Sequence, residues 1–304
     1  MIWMGKMHMF DFKTFAQMNL DCIFQGFDRL PALGEEVFAK SFTLQLGGGP
    51  MVCPIVLNQL GCKTELGTFL GEGDVTAICL RLLERKGFHA FRSFPSPKKD
   101  PVVVTAVFSG PGDRGFLAHN EQVYESCLPE DVVFDFLSDA KVTFAPVGHP
   151  NVAKRLHEAG VKIVFDNGWS DDLCIDKIKE LLPYVDVYTP NDKEARKIAG
   201  TDDLQETLWF LARYTPNPVI TMGQDGCAFL KDGKMQIIPA APGVVAVDTT
   251  GAGDNFITGV VYGLIHDLPL EKCLRLGNVF AGKSITAVGC FGATVTREEI
   301  SQYL

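Results

Sequence analysis

Apolar and polar residues alternate in short blocks along most of this chain, and glycines or prolines separate the blocks. In the first third, the pattern predicts two helices, at residues 50–60 and 74–86. A proline near the start of the first helix and a glycine after the end of each support these bounds. The same pattern predicts extended segments at residues 15–25, 36–45, 63–69, 88–94 and 101–109, and from residue 116 onward.

From Val142 onward the alternation of strands and helices becomes regular. Residues 227–230 and 234–238 predict a hairpin, and the other extended segments predict buried strands with helices between most of them. Such alternation favours an α/β fold with a mostly parallel sheet covered by helices on both faces. The additional extended segments near the N-terminus predict a small sheet inserted on this body. The buried strands are predicted at residues 141–145, 162–165, 186–188, 218–222 and 244–247.

Composition limits the class of function. The 304 residues are 46% hydrophobic and carry a formal net charge of −9, which supports a core and disfavours a nucleic-acid partner. No apolar run approaches the roughly 20 residues of a membrane span. Nine cysteines without a Cys-x-x-Cys pair, among them Cys22, Cys79 and Cys227 in apolar surroundings, favour free thiols in a reducing cytosol. We therefore expect a cytoplasmic protein without a nucleic-acid or membrane partner.

Two glycine-rich patterns resemble nucleotide-binding motifs but have the wrong context. Residues 277–284 match Gly-x4-Gly-Lys-Ser, yet apolar residues at helical spacing surround them, and amides inside a helix are already hydrogen-bonded. Residues 110–115 match Gly-x-Gly-x-x-Gly, but they lie between two extended runs and predict a hairpin turn. We interpret neither pattern as a phosphate site.

The most informative segment is Asp-Thr-Thr-Gly-Ala-Gly-Asp-Asn-Phe at residues 248–256. It lies between the predicted strand 244–247 and an apolar helix. The amides of Gly251, Ala252 and Gly253 would then point outward at the positive end of the helix dipole, where an anion is favoured. Asp254 would lie beside that anion in the first helical turn, which suits a general base. A simple helix cap would explain the glycines but not the aspartates and threonines around them.

This segment resembles the C-terminal signature of the ribokinase (PfkB) family of sugar and nucleoside kinases and matches it through Asp254. The resemblance extends along most of the chain, and four further elements are similar to the family's motifs. They are Asn19-x-Asp21 (sugar binding), Gly47-Gly48-Gly49-Pro50 (the N-terminal signature), Asn191-x-x-Glu194 (magnesium and phosphates) and Thr221-Met-Gly223-x-x-Gly226 (nucleotide).

The resemblance implies a Rossmann-like ribokinase fold, with residues 1–304 forming one domain and a β-sheet lid formed by about residues 25–46 and 88–120. ATP and Mg²⁺ would be the cofactors, with K⁺ as a further option, and a homodimer through the lid is left open. The implied site has catalytic Asp254, Gly251, Ala252 and Gly253; substrate-binding Asn19, Asp21, Gly47 and Gly48; nucleotide-binding Asn191, Thr221, Gly223, Gly226 and Asn278; Glu194 near Mg²⁺ through water; and Asp248 and Thr250 near a monovalent cation.

The expected reaction is phosphorylation by ATP of a hydroxyl of a small sugar or sugar-like molecule. The departures from the family pattern fall on the substrate side: Val52 stands where an asparagine is usual, Gly49 where a lysine would suit a phosphorylated substrate, and residues 166–169 fit only in part. A nucleoside kinase and a non-catalytic sugar- or nucleotide-binding regulator remain alternatives. Two structural explanations also stay open, in which Asp21 is an exposed residue at a strand edge and Asn191 only caps a helix.

Overall fold

A six-stranded parallel sheet lies at the centre of the protein. The computed structural model describes residues 8–109 and 115–303, and the backbone of residue 114. All neighbouring strands in this sheet run parallel, in the order β10-β9-β8-β1-β4-β5. The strands, numbered in chain order, are β1 (Phe10–Phe15), β4 (Thr64–Phe69), β5 (Phe91–Phe94), β8 (Ala140–Phe144), β9 (Lys162–Phe165) and β10 (Val187–Tyr188).

Strand β1 lies in the middle of the sheet, although the sequence pattern placed the first extended segment at residues 15–25. That prediction was wrong for residues 10–14, which form most of β1, and for residues 16–18, which separate β1 from the next strand. The reason is Lys13, a buried lysine whose ammonium group pairs with Glu65 at 2.8 Å and Asp139 at 3.0 Å. A lysine at a core position breaks the apolar pattern, and only such pairing permits its burial.

Helices cover both faces of the sheet because side chains along each strand alternate between two apolar clusters. On β9, Val164 belongs to the cluster that holds α1, α7 and α8, whereas Ile163 and Phe165 belong to the cluster that holds α3, α4, α5 and α6. The helices are α1 (Val52–Gln59), α2 (Asp74–Arg85), α3 (Glu130–Leu137), α4 (Pro150–Glu158), α5 (Asp192–Ala199), α6 (Leu204–Leu211), α7 (Ala252–Ile265), α8 (Leu270–Ser284) and α9 (Arg297–Ser301).

A second sheet of four strands carries Asn19 and Asp21, which the sequence predicts to bind substrate. It has the order β3-β2-β6-β7 and contains β2 (Asn19–Gln25), β3 (Ser41–Leu46), β6 (Val103–Ser109) and β7 (Arg114–His119). The predicted lid ranges differ from this sheet in two places. Strand β5 falls within the range 88–120 but pairs with β4 in the main sheet. Strand β2 belongs to the small sheet, although nearly all of it precedes the range 25–46. The predicted turn at residues 110–115 falls mostly on residues 110–113, outside the described residues, but the strands on either side pair antiparallel.

The third sheet confirms the predicted hairpin, with β12 (Cys227–Lys231) and β13 (Lys234–Ile238) next to β11 (Val219–Thr221). The predicted strand at 244–247 is wrong: the segment is irregular, and Val245 is 78% exposed. The Gly-x4-Gly-Lys-Ser match at residues 277–284 lies inside α8, as expected. All nine cysteines are free. Among the helices of the described residues, none has the length and apolar character to cross a membrane.

Candidate active site

Three neighbouring strands end at one edge of the protein, and polar residues follow each of them. Strand β9 ends just before Asp166, β10 ends three residues before Asn191, and β11 ends at Thr221. A bridge between Asn191 and Thr221 holds the last two segments side by side. Ligands of parallel α/β sheets bind at this carboxyl edge, so the topology brings together residues that the sequence scatters.

Helix α7 begins beside this edge with the glycine-rich turn. Gly251 adopts a left-handed conformation with φ of 72°, and a β-carbon there would lie 2.6 Å from Sγ of Cys290. Only glycine fits such a position without displacing the cysteine. The amide of Ala252 donates to the carbonyl of Thr249 at 3.3 Å, so this predicted anion donor already has a partner within the turn.

Asp254 lies in the first turn of α7 and reaches the glycine run that follows β3. Its Oδ2 accepts a hydrogen bond from the amide of Gly49 at 3.0 Å, and a β-carbon on Gly48 would lie 2.6 Å from the same oxygen. Burial raises the pKa of Asp254, and the Gly49 hydrogen bond partly offsets that rise. The carboxylate is therefore oriented by the backbone of a segment that comes from the other end of the sequence.

Asp21 and Asn19 lie on β2, against the first glycine of the same run. Asp21 is only 4% exposed, which removes the explanation of an exposed strand-edge residue. A β-carbon on Gly47 would lie 2.5 Å from both Asp21 Oδ1 and Asn19 Cγ, and Asn19 Oδ1 accepts from the Thr105 hydroxyl at 3.2 Å. Burial and then the charges of Asp254 and Asp248 raise the pKa of Asp21 to about 6.

Asp248 ties the glycine-rich turn to the loop after α8. One carboxylate oxygen accepts from the amide and the hydroxyl of Thr250, at 2.9 and 2.7 Å, and the other accepts from the amide of Gly289 at 2.9 Å. Both carboxylate oxygens therefore accept hydrogen bonds from the protein, which accounts for the position of Asp248 without a bound cation. The predicted monovalent-cation role of Asp248 and Thr250 stays a prediction.

Asn191 and Glu194 form a capping box at the start of α5. The side chain of Asn191 accepts from the Glu194 amide at 2.9 Å, and Glu194 Oε2 accepts from the Asn191 amide at 3.0 Å. The helix-cap explanation of Asn191 is therefore correct as far as it goes. Glu194 is buried, and this burial raises the pKa of its carboxyl, so it is not an ordinary solvated acid of a first turn.

Asp166 is a further site residue that the sequence reasoning did not select. Asp166 is exposed to solvent, yet desolvation by the protein atoms around its carboxyl, and then the charges of Glu194 and Asp254, raise its pKa, against the effect of a hydrogen bond from the Gly168 amide. A β-carbon on Gly253 would lie 3.8 Å from its Oδ2. The available signal was its position directly after the buried strand β9, where polar residues of parallel sheets gather around ligands.

The residues predicted to bind nucleotide divide into two groups. Thr221, Gly223 and Gly226 lie on the turn that leaves β11, where Gly226 has φ of +88° and a β-carbon would overlap the carbonyl of Ile238. Asn278 is buried in α8, and its amide nitrogen donates to the carbonyls of Ile238 at 3.1 Å and Pro239 at 3.0 Å. Asn278 thus anchors the end of β13, and a role toward nucleotide stays a prediction.

The chain matches the model of the pfkB family carbohydrate kinases over residues 15–297. It belongs to the pfkB family. Relatives of this chain include the ribokinase of Bacillus subtilis (strain 168), 32% identical over 287 residues, which are 91% of this chain and 94% of that protein. The ribokinase of Lactococcus lactis is 29% identical over 153 residues, 50% of this chain, and the chain spans only 48% of its length.

Solved structures show the same fold. The structure of Arabidopsis thaliana ribokinase complexed with ribose and ATP has a TM-score of 0.77 and 23% identity, covering 97% of this chain and 98% of that chain. The ribokinase fold expected from the resemblance is therefore confirmed for this member of the pfkB family, with helices on both faces of the parallel sheet.

Proposed function

We propose that this protein transfers the γ-phosphoryl group of ATP to a hydroxyl of a small sugar or sugar-like molecule. The observation that carries the proposal is the position of Asp254. Its carboxylate is hydrogen-bonded to Gly49, lies in the first turn of α7 and is close enough to Asp21 for the two charges to interact. A general base has to lie within hydrogen-bond reach of the acceptor hydroxyl, and Asp254 is near both the proposed substrate carboxylate Asp21 and a helix start that suits an anion.

Each end of this arrangement has a defined task. Asp254 takes the proton of the attacking hydroxyl, which typically contributes about 10²–10⁴ in rate. The amides of Gly251 and Gly253, with that of Ala252 if its bond to Thr249 opens, stabilise the charge of the transferring group. Removing one such donor typically costs about 10²–10³ in kcat.

The carboxylates at the strand ends suit a magnesium ion bound to ATP. Among the described residues, no three or more His, Cys, Asp or Glu side chains are grouped so that they could hold a metal ion. The role proposed for Glu194 is contact with Mg²⁺ through water. Asp166 and Glu194 carry raised pKa values, and a nearby cation would relieve the mutual repulsion that contributes to that of Asp166. When bound, Mg²⁺ neutralises charge on the phosphates. Asn191 and the turn from Thr221 to Gly226 complete the nucleotide side.

The substrate side consists of Asn19, Asp21, Gly47 and Gly48, and the four-stranded sheet would close over it to exclude water. Val52 is fully buried in the core, so this position supplies no group to a substrate. Gly49 has φ of +85° and open space around it, and it contributes its amide to Asp254. Substrate recognition therefore depends on few side chains of this protein. A cytoplasmic location, expected from the free thiols, stays a prediction.

The test is ADP release with ATP–Mg²⁺ and a panel of pentoses, hexoses and nucleosides. We expect turnover of at least one sugar, a fall of about 10²–10⁴ in kcat for Asp254→Asn, and wild-type rates for Asp135→Asn, a matched variant at an exposed position of α3. The assignment of the base is wrong if Asp254→Asn keeps most of the activity.

The remaining outcomes decide between the alternatives. Turnover of inosine or adenosine with no sugar phosphorylated would identify a nucleoside kinase of the same family. ATP binding without turnover of any member of the panel would favour a non-catalytic regulator. Sugar turnover that depends on Asp254 would exclude both.

A further inference from the structure

A cavity of about 320 Å³ lies at the opposite edge of the main sheet from the active site. It is lined by the start of β1 and of β8, the C-terminal end of α7 and the first residue of α9. Because the strands are parallel, these N-terminal strand ends are far from the carboxyl edge that carries Asp166. The volume of the cavity is within the range of about 300–1,000 Å³ that is typical of small-molecule sites. The residues that matter are Asp11, Gly61, Lys141, Tyr262, His266 and Arg297.

The guanidinium group of Arg297 is held in place by the backbone and is not paired with a carboxylate of the described residues. Its Nε donates to the carbonyl of Leu60 at 2.7 Å, and its guanidinium lies against Gly61, where a β-carbon would overlap it and φ is +81°. Within residues 8–109 and 115–303, no carboxylate forms an ion pair with Arg297. The other nitrogens of the guanidinium fork remain for a planar or tetrahedral oxyanion.

The other charges of the cavity balance one another. Lys141 pairs with Asp11 Oδ1 at 2.9 Å, and Asp11 Oδ2 accepts from the Lys63 amide at 2.9 Å. The cavity therefore has a net positive charge from Arg297, and an anionic ligand is favoured over a cationic one.

Tyr262 supplies a second donor. Its side chain is only 7% exposed, and its hydroxyl has no hydrogen-bond partner among the described residues. The ring is fixed by contact with His266, with ring centroids 4.3 Å apart, and His266 Nδ1 is 2.8 Å from the carbonyl of Tyr262. The hydroxyl of a residue that lines the cavity and has no protein partner in the described part of the chain is a donor that a ligand can use.

We propose that this cavity is a binding site for a small oxyanion, a phosphate or carboxylate group held by Arg297 and Tyr262. The site is separate from the catalytic one and is not needed for the reaction itself.

The experiment is calorimetric titration of the full chain with inorganic phosphate and, in a second arm, with acetate. We expect saturable binding in at least one arm. Arg297→Gln and Tyr262→Phe should each weaken it at least tenfold, while Arg81→Gln, an exposed matched variant on α2, should bind as wild type does. Stronger binding of phosphate would identify a phosphate ester as the ligand class, and stronger binding of acetate a carboxylate.

Two readouts keep the result decisive. Phosphate that binds only at the turn from Gly251 to Gly253 would be retained in Arg297→Gln, and that outcome would overturn the proposal, as would wild-type protein that binds neither anion. Circular dichroism and an unchanged thermal midpoint of Tyr262→Phe show that the fold is intact. Arg297→Lys, which keeps the charge but not the planar fork, should bind between wild type and Arg297→Gln.

Discussion

Gly48 and Asp254 are in such close contact that a β-carbon on Gly48 would lie 2.6 Å from Oδ2 of Asp254. The same β-carbon would lie 3.1 Å from Sγ of Cys290, so it cannot avoid the carboxylate by a small shift. The absence of a side chain on Gly48 therefore leaves room for the carboxylate of Asp254, the proposed general base, at this position.

The first prediction concerns this contact. Gly48→Ala should lower kcat for the preferred substrate by about 10²-fold, because displacement of a catalytic group by about 1 Å costs that much. Gly115→Ala is the control, since a β-carbon there meets nothing within 4 Å. Steady-state kinetics of the two variants check the prediction. Equal activity of Gly48→Ala and Gly115→Ala would show that the contact has no effect on the reaction.

A second prediction follows from the burial of Asp21 beside two other carboxylates. Its pKa is raised from 3.8 to about 6, so the folded state favours the protonated form. The stabilising contribution of this group is present below its unfolded pKa and is lost as the pH rises through about 6. A shift of this size corresponds to about 3 kcal/mol at most.

Asp21→Asn should therefore be more stable than wild type at pH 8, and the difference should shrink as the pH falls to 5. Urea unfolding at the two pH values measures it, with Asp135→Asn as a control for which no such change is expected. The variant should also raise KM for the sugar, because it removes a charged acceptor for substrate hydroxyls. A stability difference that is independent of pH would contradict the assigned pKa.

A third prediction concerns Asp166, an exposed carboxylate whose pKa is raised by the surrounding protein atoms and by the nearby charges of Glu194 and Asp254. If Asp166 helps to hold the magnesium ion of ATP, Asp166→Asn should raise the Mg²⁺ concentration for half-maximal activity by about tenfold, a usual effect for outer-sphere ligands. Asp172→Asn is the control, because Asp172 is exposed in the same loop and paired with Lys177. An unchanged Mg²⁺ requirement in Asp166→Asn would show that its carboxylate is not near the metal.

The sequence predicted the parts of this structure that depend on local pattern. Helix α7 and the hairpin β12–β13 were recognised because their periodicity and turn residues are local properties. The pattern failed where tertiary contacts override it. Lys13 interrupts the apolar pattern of the central strand β1, because ion pairs permit its burial. The valines at 244–247 are apolar but form a loop in which Val245 and Val247 are exposed. The site residue Asp166 was missed because its surroundings depend on which strands become neighbours.

The fourth prediction concerns the four-stranded sheet, whose two faces differ in character. Asp21 and Thr105 lie on one face because they are paired across β2 and β6, and this is the face of the proposed substrate site. The neighbouring positions point to the other face, where the rings of Phe42 and Phe108 lie 5.0 and 6.1 Å from that of Phe24. That second face is apolar and partly exposed, which is typical of a surface that another protein chain covers.

We expect a second copy of this chain to cover that face, as in the homodimer through the lid that the family resemblance left open. Leu117 lies there opposite Ala106 and is 69% exposed. Leu117→Glu should convert a dimer into monomers in analytical ultracentrifugation, because a carboxylate would be buried without a partner. Leu33→Glu, at a fully exposed position outside the sheet, should leave the dimer intact. A wild-type protein that stays monomeric at all concentrations, or a dimer that persists in Leu117→Glu, would show that this face is not the interface.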